Sequence, residues 1–248
     1  MTPRQLAQRA RSEFRKSADP RVAAGQRAYF KKWETIHFHG LKTPELRRIE
    51  RDLHRLVRKE WAYHDAVELC EQLMPDRYLE SKAIALMLLM RYRRQFDSAL
   101  LQRAKGWLER GLCDNWAVTD HLASRILSSL IDKIEPLAAT VESWDRSPNL
   151  WVRRSSAVAF VNHVRKGRHL DRAYRIATVL QPDGEDLIHK ACGWLLRECG
   201  KADAKRLESY LLNHGPAIPR TTLRYAIERF SDAKRRHILA ATRKPQNR

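Results

Sequence analysis

The residue types with the clearest chemical potential sit in two short stretches. In CDNWAVTDHLASRIL (113–127) Trp116 and Asp120 are four residues apart, and in HKACGWLLRE (189–198) Trp194 and Arg197 are three apart. Residues at those spacings share one face of a helix. The first stretch therefore presents an indole beside a carboxylate, and the second an indole beside a guanidinium. A carboxylate and the negative face of an aromatic ring both suit an electron-poor or cationic group. The plainer reading is that each indole packs in the core while the charged group faces water, and the rest of the chain has to decide between them.

Charge is the dominant global property. The chain has 48 Lys+Arg against 29 Asp+Glu in 248 residues, a formal net charge of +19. Such a surface attracts polyanions, with nucleic acid the first candidate and a membrane surface, a ribosome or an acidic protein the rivals. Arg outnumbers Lys, and its planar fork favours phosphate contacts. The longest apolar run, AIALMLLM at 83–90, falls well short of a membrane span and is flanked by Lys82 and Arg91. The Arg-rich start, MTPRQLAQRARSEFRKSADP, contains Glu13 and Asp19 and reads as an ordinary first helix rather than a transit peptide. Cys70, Cys113, Cys192 and Cys199 lack CxxC spacing and sit in or beside apolar runs, as buried free thiols of a reducing compartment do. His37 and His39 have no Cys or acidic partner at ligand spacing, so no metal site is expected. There is no Gly-rich phosphate loop, no G-x-S-x-G and no helix-hairpin-helix signature, which leaves nucleotide hydrolysis and serine chemistry unsupported.

The elements that must position these residues are helices. Helix formers dominate, no convincing strand is found, and only 9 Gly and 10 Pro leave little room for long loops. Asp19-Pro20 and Thr43-Pro44 are the clearest helix starts. Helices are expected at about 3–17, 20–34, 44–59, 63–74, 78–94, 97–111, 115–133, 136–145, 149–166, 170–180, 185–199, 203–213, 221–230 and 232–243. Trp61, Trp107 and Trp144 fall in apolar helical patterns and read as core, while Trp151 divides evenly between core and groove.

A repeat runs through these helices. The segments YLESKAIALMLLMRYRR, LWVRRSSAVAFVNHVRK and DLIHKACGWLLRECGK each place a basic residue (Lys82, Arg154, Lys190) before a run of small and apolar residues. Arg154 and Lys190 are 36 residues apart, and Lys82 lies two such periods before Arg154. A period of that size built from helix pairs indicates an α-solenoid. The expected fold is therefore all-α, a single HEAT-like repeat domain over 1–248, helical over about 3–243, with a concave basic face and a short basic tail at 244–248. Lys82, Arg154 and Lys190 would form a basic ladder that tracks phosphates. The skipped register position is Val118, so that repeat lacks the basic residue and offers Asp120 two positions later.

Four segments resemble the AlkD-like alkylpurine DNA glycosylases, a family of HEAT-like repeat proteins. They are GLKTPELRR at 40–48, NWAVTDHL at 115–122, NLWVRRSS at 149–156 and HKACGWLLRE at 189–198, and the resemblance spans about residues 20–230. It implies a monofunctional glycosylase that removes cationic purines such as 3-methyladenine and 7-methylguanine from double-stranded DNA without drawing the base into a pocket, with bulkier adducts left open. Trp116 and Trp194 would flank the lesion nucleotide, Asp120 would sit by the anomeric carbon, and Arg154 and Arg197 would hold the DNA backbone. The implied setting is a bacterial cytoplasm, with the protein monomeric, held at the nucleoid by DNA and using no cofactor or metal.

The chemistry of the residues fits that implication. An N3- or N7-alkylated purine is cationic and leaves as a neutral base, so no general acid is needed. The electron-poor sugar left behind is stabilised by a fixed carboxylate and by aromatic faces. Two departures stand out. Asn115 replaces an aromatic residue that some members carry next to Trp116, and the aromatic of an early helix is either Tyr29 or Trp33, of which Tyr29 is named as the DNA contact. Lys190 is also the one candidate for Schiff-base chemistry, but its ladder position explains it without that role. The competing function is a non-catalytic helical-repeat protein that binds structured DNA or RNA; a solenoid for an acidic protein partner is a third.

Overall fold

The structure is a computed structural model and describes residues 1–32 and 34–243. Contacts group the chain into two compact units, one ending at Leu122 and one beginning at Ala123. The first holds α1 (Pro3–Lys16), α2 (Pro20–Arg27), α3 (Thr43–Val57), α4 (Tyr63–Leu73), α5 (Leu79–Leu89), α6 (Ser98–Glu109) and α7 (Trp116–His121). The second holds α8 (Ser128–Lys133), α9 (Leu137–Glu142), α10 (Leu150–Val158), α11 (Val161–Val164), α12 (Leu170–Val179), α13 (Asp186–Ala202), α14 (Ala204–His214), α15 (Arg220–Ala226) and α16 (Asp232–Ala241). The fold is all-α: no strand forms among the described residues, and the sole β feature there is an isolated bridge between His37 and Tyr78. No helix among the described residues is long and apolar enough to cross a membrane.

Polar residues cap several of these helices. Thr2 and Gln5 form a reciprocal capping box on α1, and Asp19, Asp97, Asn115, Asn149, Asp203 and Ser231 accept from first-turn amides of α2, α6, α7, α10, α14 and α16. Thr43 does not cap α3; it is the first helical residue, and Lys42 occupies the cap position without a side-chain bond. The helix expected at 20–34 stops at Arg27, because the Arg27 guanidinium donates to the carbonyls of Lys31, Lys32 and Glu34 and holds a non-helical turn. The helix expected at 115–133 is interrupted by a π-helical segment, Leu122–Leu127. The basic tail at 244–248 lies outside the described residues.

The 36-residue period appears as direct packing of equivalent helices. In the first unit α5 packs on α7; in the second α10 packs on α13, and α13 on α15. α5 is enclosed nearly all round, as burial between neighbours requires; only Leu79 and Met87 escape full burial. Polar bonds tie each repeat to the next. Lys82 Nζ donates to the Leu112 carbonyl at 2.7 Å, a guanidinium nitrogen of Arg154 donates to the Leu187 carbonyl, and the Thr222 hydroxyl donates to the His189 carbonyl at 3.0 Å. Trp107 is fully buried with its Nε1 donating to Glu71 at 2.9 Å. Trp61 and Trp144 are buried as well, and Trp151 is half-buried. All four cysteines are free and buried, and burial pushes the thiols of Cys113, Cys192 and Cys199 up to about 12.

Gly193 of α13 lies where α13 and α15 touch: a Cβ there would come within 2.4 Å of Tyr225 Cβ and 2.8 Å of the Thr222 carbonyl oxygen. Gly106 in α6 has nothing within 4 Å of the equivalent point. Gly193→Ala is expected to cost about 1–3 kcal/mol through overpacking, and Gly106→Ala to stabilise by about 0.5–1 kcal/mol through helix propensity. Urea unfolding of the two variants checks the contrast.

His163 is fully buried, with Ser128 Oγ 3.1 Å and the Ser128 carbonyl 3.2 Å from Nε2 and an Arg168 guanidinium nitrogen 3.0 Å from Nδ1. A guanidinium can only donate, so Nδ1 accepts and Nε2 carries the proton. Burial is the main cause that brings the imidazole down to about 4, opposed by Asp132 and aided by Arg168. Unfolded, the ring takes up its proton near 6.5, so between these values the unfolded chain binds the extra proton. Stability is thus fully present above about pH 6.5 and falls as pH drops toward about 4. Unfolding free energies at pH 7 and pH 5 should show this slope, and it should flatten in His163→Gln.

Candidate active site

The first unit carries Trp116 and Asp120 on α7. The loop ahead of the helix is fixed by four bonds. Lys82 reaches the Leu112 carbonyl and, at 3.3 Å, Asp114. The Thr119 hydroxyl donates to the Cys113 carbonyl at 2.9 Å, and Asn115 Oδ1 accepts from the Val118 amide at 3.1 Å. Trp116 is therefore the first residue of a rigidly started helix, and Asp120 follows one turn later. Both are half-buried, whereas Val118 and Thr119 between them are buried. The π-helical segment begins two residues after Asp120, a deviation common where a helix carries function.

The indole of Trp116 has an aromatic partner that its sequence neighbours do not announce. Phe30 stacks on it with ring centroids 4.9 Å apart and planes 20° from parallel, and Phe38 lies behind Phe30 at 5.6 Å. Phe30 comes from the turn that Arg27 holds after α2, and Phe38 from the segment leading to α3. That segment is itself anchored. The buried carboxylate of Glu80 accepts from the backbone amides of His39, Gly40 and Leu41 at 3.1, 2.9 and 3.3 Å. Gly40 is required there: its φ is +87°, and a Cβ would meet the Asp19 carbonyl oxygen at 2.0 Å. His37 and His39 both turn to Tyr78, one edge-on and one stacked, so their rings serve aromatic packing.

Tyr29, the aromatic expected to meet DNA, is 80% exposed beside Phe30. The alternative, Trp33, lies outside the described residues. Phe30 escaped the sequence reading because a helix continuing to residue 34 gives it no special face; only the break at Arg27 turns it toward Trp116.

The second unit carries the basic set. Along α13 the half-buried positions include Lys190, Trp194 and Arg197, so these three share one strip while Ala191, Cys192, Gly193, Leu195 and Leu196 are buried. Lys190 pairs with Asp186 at 2.8 Å. Arg197 pairs with Glu228. Its buried Nε has no hydrogen-bond partner, with Glu198 3.6 Å away, too far for a bond. Asn149 caps α10, and the neighbouring Arg153 is tied to Asp183 at 2.7 Å.

Two members of the expected ladder are not surface cations. The Lys82 side chain is 7% exposed with its ammonium bonded to the loop before Trp116. Arg154 is 5% exposed and donates to the Leu187 carbonyl at the start of α13. Both bonds run from one register helix to the backbone that opens the next, and that accounts for a basic residue recurring at this position. Lys190 alone of the three is half-exposed.

A family model for DNA alkylation repair enzymes matches residues 10–230. The chain belongs to this family. The fold is shared with a solved structure from Enterococcus faecalis, described as a predicted DNA alkylation repair enzyme, at a TM-score of 0.76 and 18% identity over 87% of this chain and 98% of that one. No curated protein matches the chain. In this family member, α7 sets an indole and a carboxylate one helical turn apart, both half-buried, and such groups can stabilise a positive charge.

Removing the Phe30 ring tests how far Trp116 depends on it. Phe30→Ala should lower stability by about 1 kcal/mol, the scale of an aromatic pair, and should move the Trp116 indole N–H resonance. An unmoved resonance in a folded variant would show that the stack does not set the indole.

Proposed function

We propose that the protein is a monofunctional DNA glycosylase that hydrolyses the N-glycosidic bond of cationic alkylated purines in double-stranded DNA and leaves an abasic site. The observation that carries this reading is the half-buried Asp120 one helical turn from an indole that Phe30 holds in place. Family membership supplies the context of DNA alkylation repair.

The chemistry follows from the charge of the substrate. A purine alkylated at N3 or N7 already carries the positive charge that a general acid would otherwise have to supply. The C1′–N bond breaks with its electron pair going to the base, which departs neutral, and the sugar becomes an oxocarbenium-like cation. The Asp120 carboxylate stabilises that cation and orients the water whose oxygen bonds to C1′, while the water's proton passes to solvent. The π face of Trp116 adds negative charge density on the same side. Because Phe30 covers part of the indole, Trp116 offers a fixed surface rather than a mobile ring, and charge stabilisation is most effective when the groups are set beforehand.

From the second unit, Trp194 is assigned to the lesion nucleotide, Lys190 and Arg197 to DNA contact, and exposed Tyr29 of the first unit joins them. Lys82 and Arg154 are assigned to positioning: their bonds hold the loop before Trp116 and the start of α13. No lysine imine is involved, because the nucleophile is water and Lys190 is paired with Asp186. Four buried free thiols suit a reducing cytoplasm.

Asp120→Asn keeps the shape of the side chain and removes its charge. Release of 3-methyladenine or 7-methylguanine from a methylated duplex should fall at least about 100-fold, the scale of losing one electrostatic stabiliser, while duplex affinity stays within a few-fold and remains steeply salt-dependent. Unchanged release would remove Asp120 from the chemistry. Salt-sensitive binding by the unaltered protein with no release from any alkylated duplex would instead favour the non-catalytic binder.

A further inference from the structure

A second cluster in the first unit has no role in that chemistry. Arg11, Arg15 and Ala18 of the α1 end, His39, and Asp76, Arg77 and Tyr78 of the turn before α5 enclose a cleft of about 450 Å³. Its wall is rigid. The His39 imidazole stacks on Tyr78 at 3.7 Å and 17°, with Phe14 on its other flank at 5.6 Å. The Leu79 amide donates to the His37 carbonyl at 3.0 Å, which locks the two segments together.

The distribution of partners in this cleft is uneven. Asp76 is fully engaged: it accepts from Arg11 Nε at 3.0 Å, the Ser81 hydroxyl at 3.0 Å and the Tyr78 amide at 3.2 Å. Arg15 and Arg77 have no carboxylate partner among the described residues. Arg77 lies over the Tyr78 ring at 5.0 Å and touches its hydroxyl at 3.2 Å, which leaves most of its five donors unused. The imidazole nitrogens of His39 likewise have no hydrogen-bond partner there. Arg15, Arg77 and His39 thus line one cleft with no carboxylate of the described residues bonded to them, and its three guanidiniums against one carboxylate leave it electropositive.

The contrast with the arginine-lined cleft of the second unit is informative. There Arg172 and Arg175 both bind Glu142, and Arg206 binds Asp171, so the protein itself supplies the anions. In the first unit Asp76 serves Arg11 alone among the guanidiniums, and Arg15 and Arg77 have no such anion among the described residues. Paired guanidinium forks with an imidazole suit a phosphate better than a single carboxylate, since a phosphate offers acceptors in several directions. The volume leaves room for a phosphate together with the sugar that bears it.

We propose that this cleft is a phosphate subsite, in which Arg15, Arg77 and His39 receive a nucleotide phosphate, carried either by a DNA strand or by a free nucleotide. It is separate from the Trp116–Asp120 pair and does not depend on the reading of that pair. The two are nevertheless joined by one segment. Phe38 turns to Phe30 behind Trp116, while His37 and His39 on either side of it turn to Tyr78. A phosphate held at His39 would therefore bear on the strap that backs the indole.

His39 provides a direct readout. Burial holds its imidazole below the usual value, Glu80 and Asp76 pull it up, and Arg15 and Arg77 push it down. An added phosphate close to the ring must raise it. The test follows the His39 ring resonance by NMR, assigned with His39→Asn, over a pH series at low ionic strength, with the full chain free and then with inorganic phosphate, adenosine monophosphate or a short undamaged duplex. The expected result is an upward shift of the His39 midpoint on the order of one pH unit that largely disappears in the Arg15→Gln, Arg77→Gln double variant, whose two positions are exposed. A shift with the duplex alone assigns the site to a DNA strand, and a shift with phosphate or nucleotide alone assigns it to a free ligand. No shift with any of the three, or a shift that the double variant retains in full, overturns the proposal. No alkylated base is used, so the outcome is independent of whether Asp120 is catalytic.

Discussion

Buried cations donating to backbone carbonyls of the next repeat are the constraint on which the remaining structure depends. Lys82 and Arg154 occupy equivalent positions two periods apart, and each crosses to the chain that opens the next helix of the same register, at Leu112 and Leu187. Taking an ammonium or guanidinium out of water costs several kcal/mol unless its donors are satisfied. Such a residue therefore cannot tolerate a shifted neighbour, and it holds the loop it touches at one setting. The apolar faces of α5, α10 and α13 supply attraction without direction; these bonds supply the register.

The same logic runs through the segment between α2 and α3. Its described residues form no helix, yet Arg27 fastens one end through three carbonyls and Glu80 the other through three amides. The buried Glu80 carboxylate cannot give up its three amides without cost, and the half-exposed Arg27 guanidinium adds three carbonyl bonds at the other end. The consequence is that Phe30 reaches Trp116, with Phe38 against Phe30, from a segment tied by side chains on both sides. On the proposed function such anchoring helps, because little reorganisation is needed when the positive charge appears.

Much of the architecture was legible along the chain. The start of α2 followed from Asp19-Pro20, since a cap is a bond between residues two or three apart. The repeat followed from the recurrence of a basic residue before small and apolar ones. The common face of Trp116 and Asp120, and that of Trp194 and Arg197, followed from helical spacing alone. All of these depend on neighbours within a turn or on a periodicity, both of which are written in the order of residues.

What the order of residues did not contain is which side chains meet across long stretches of chain. Phe30 and Trp116 are far apart in sequence, and no spacing rule links them; only the break at Arg27 brings the ring to the indole. A basic residue in an apolar helix reads the same whether its ammonium faces a phosphate or a carbonyl of the next repeat, so the ladder of Lys82, Arg154 and Lys190 was visible as a pattern while the burial of two of its members was not. The stacking of His39 on Tyr78, and the two arginines left without acids beside it, likewise arise where α1, the strap and the turn before α5 converge. Local bonding and periodicity belong to the sequence by itself. Burial and partnership belong to the tertiary structure, because they depend on which distant surfaces exclude water from one another.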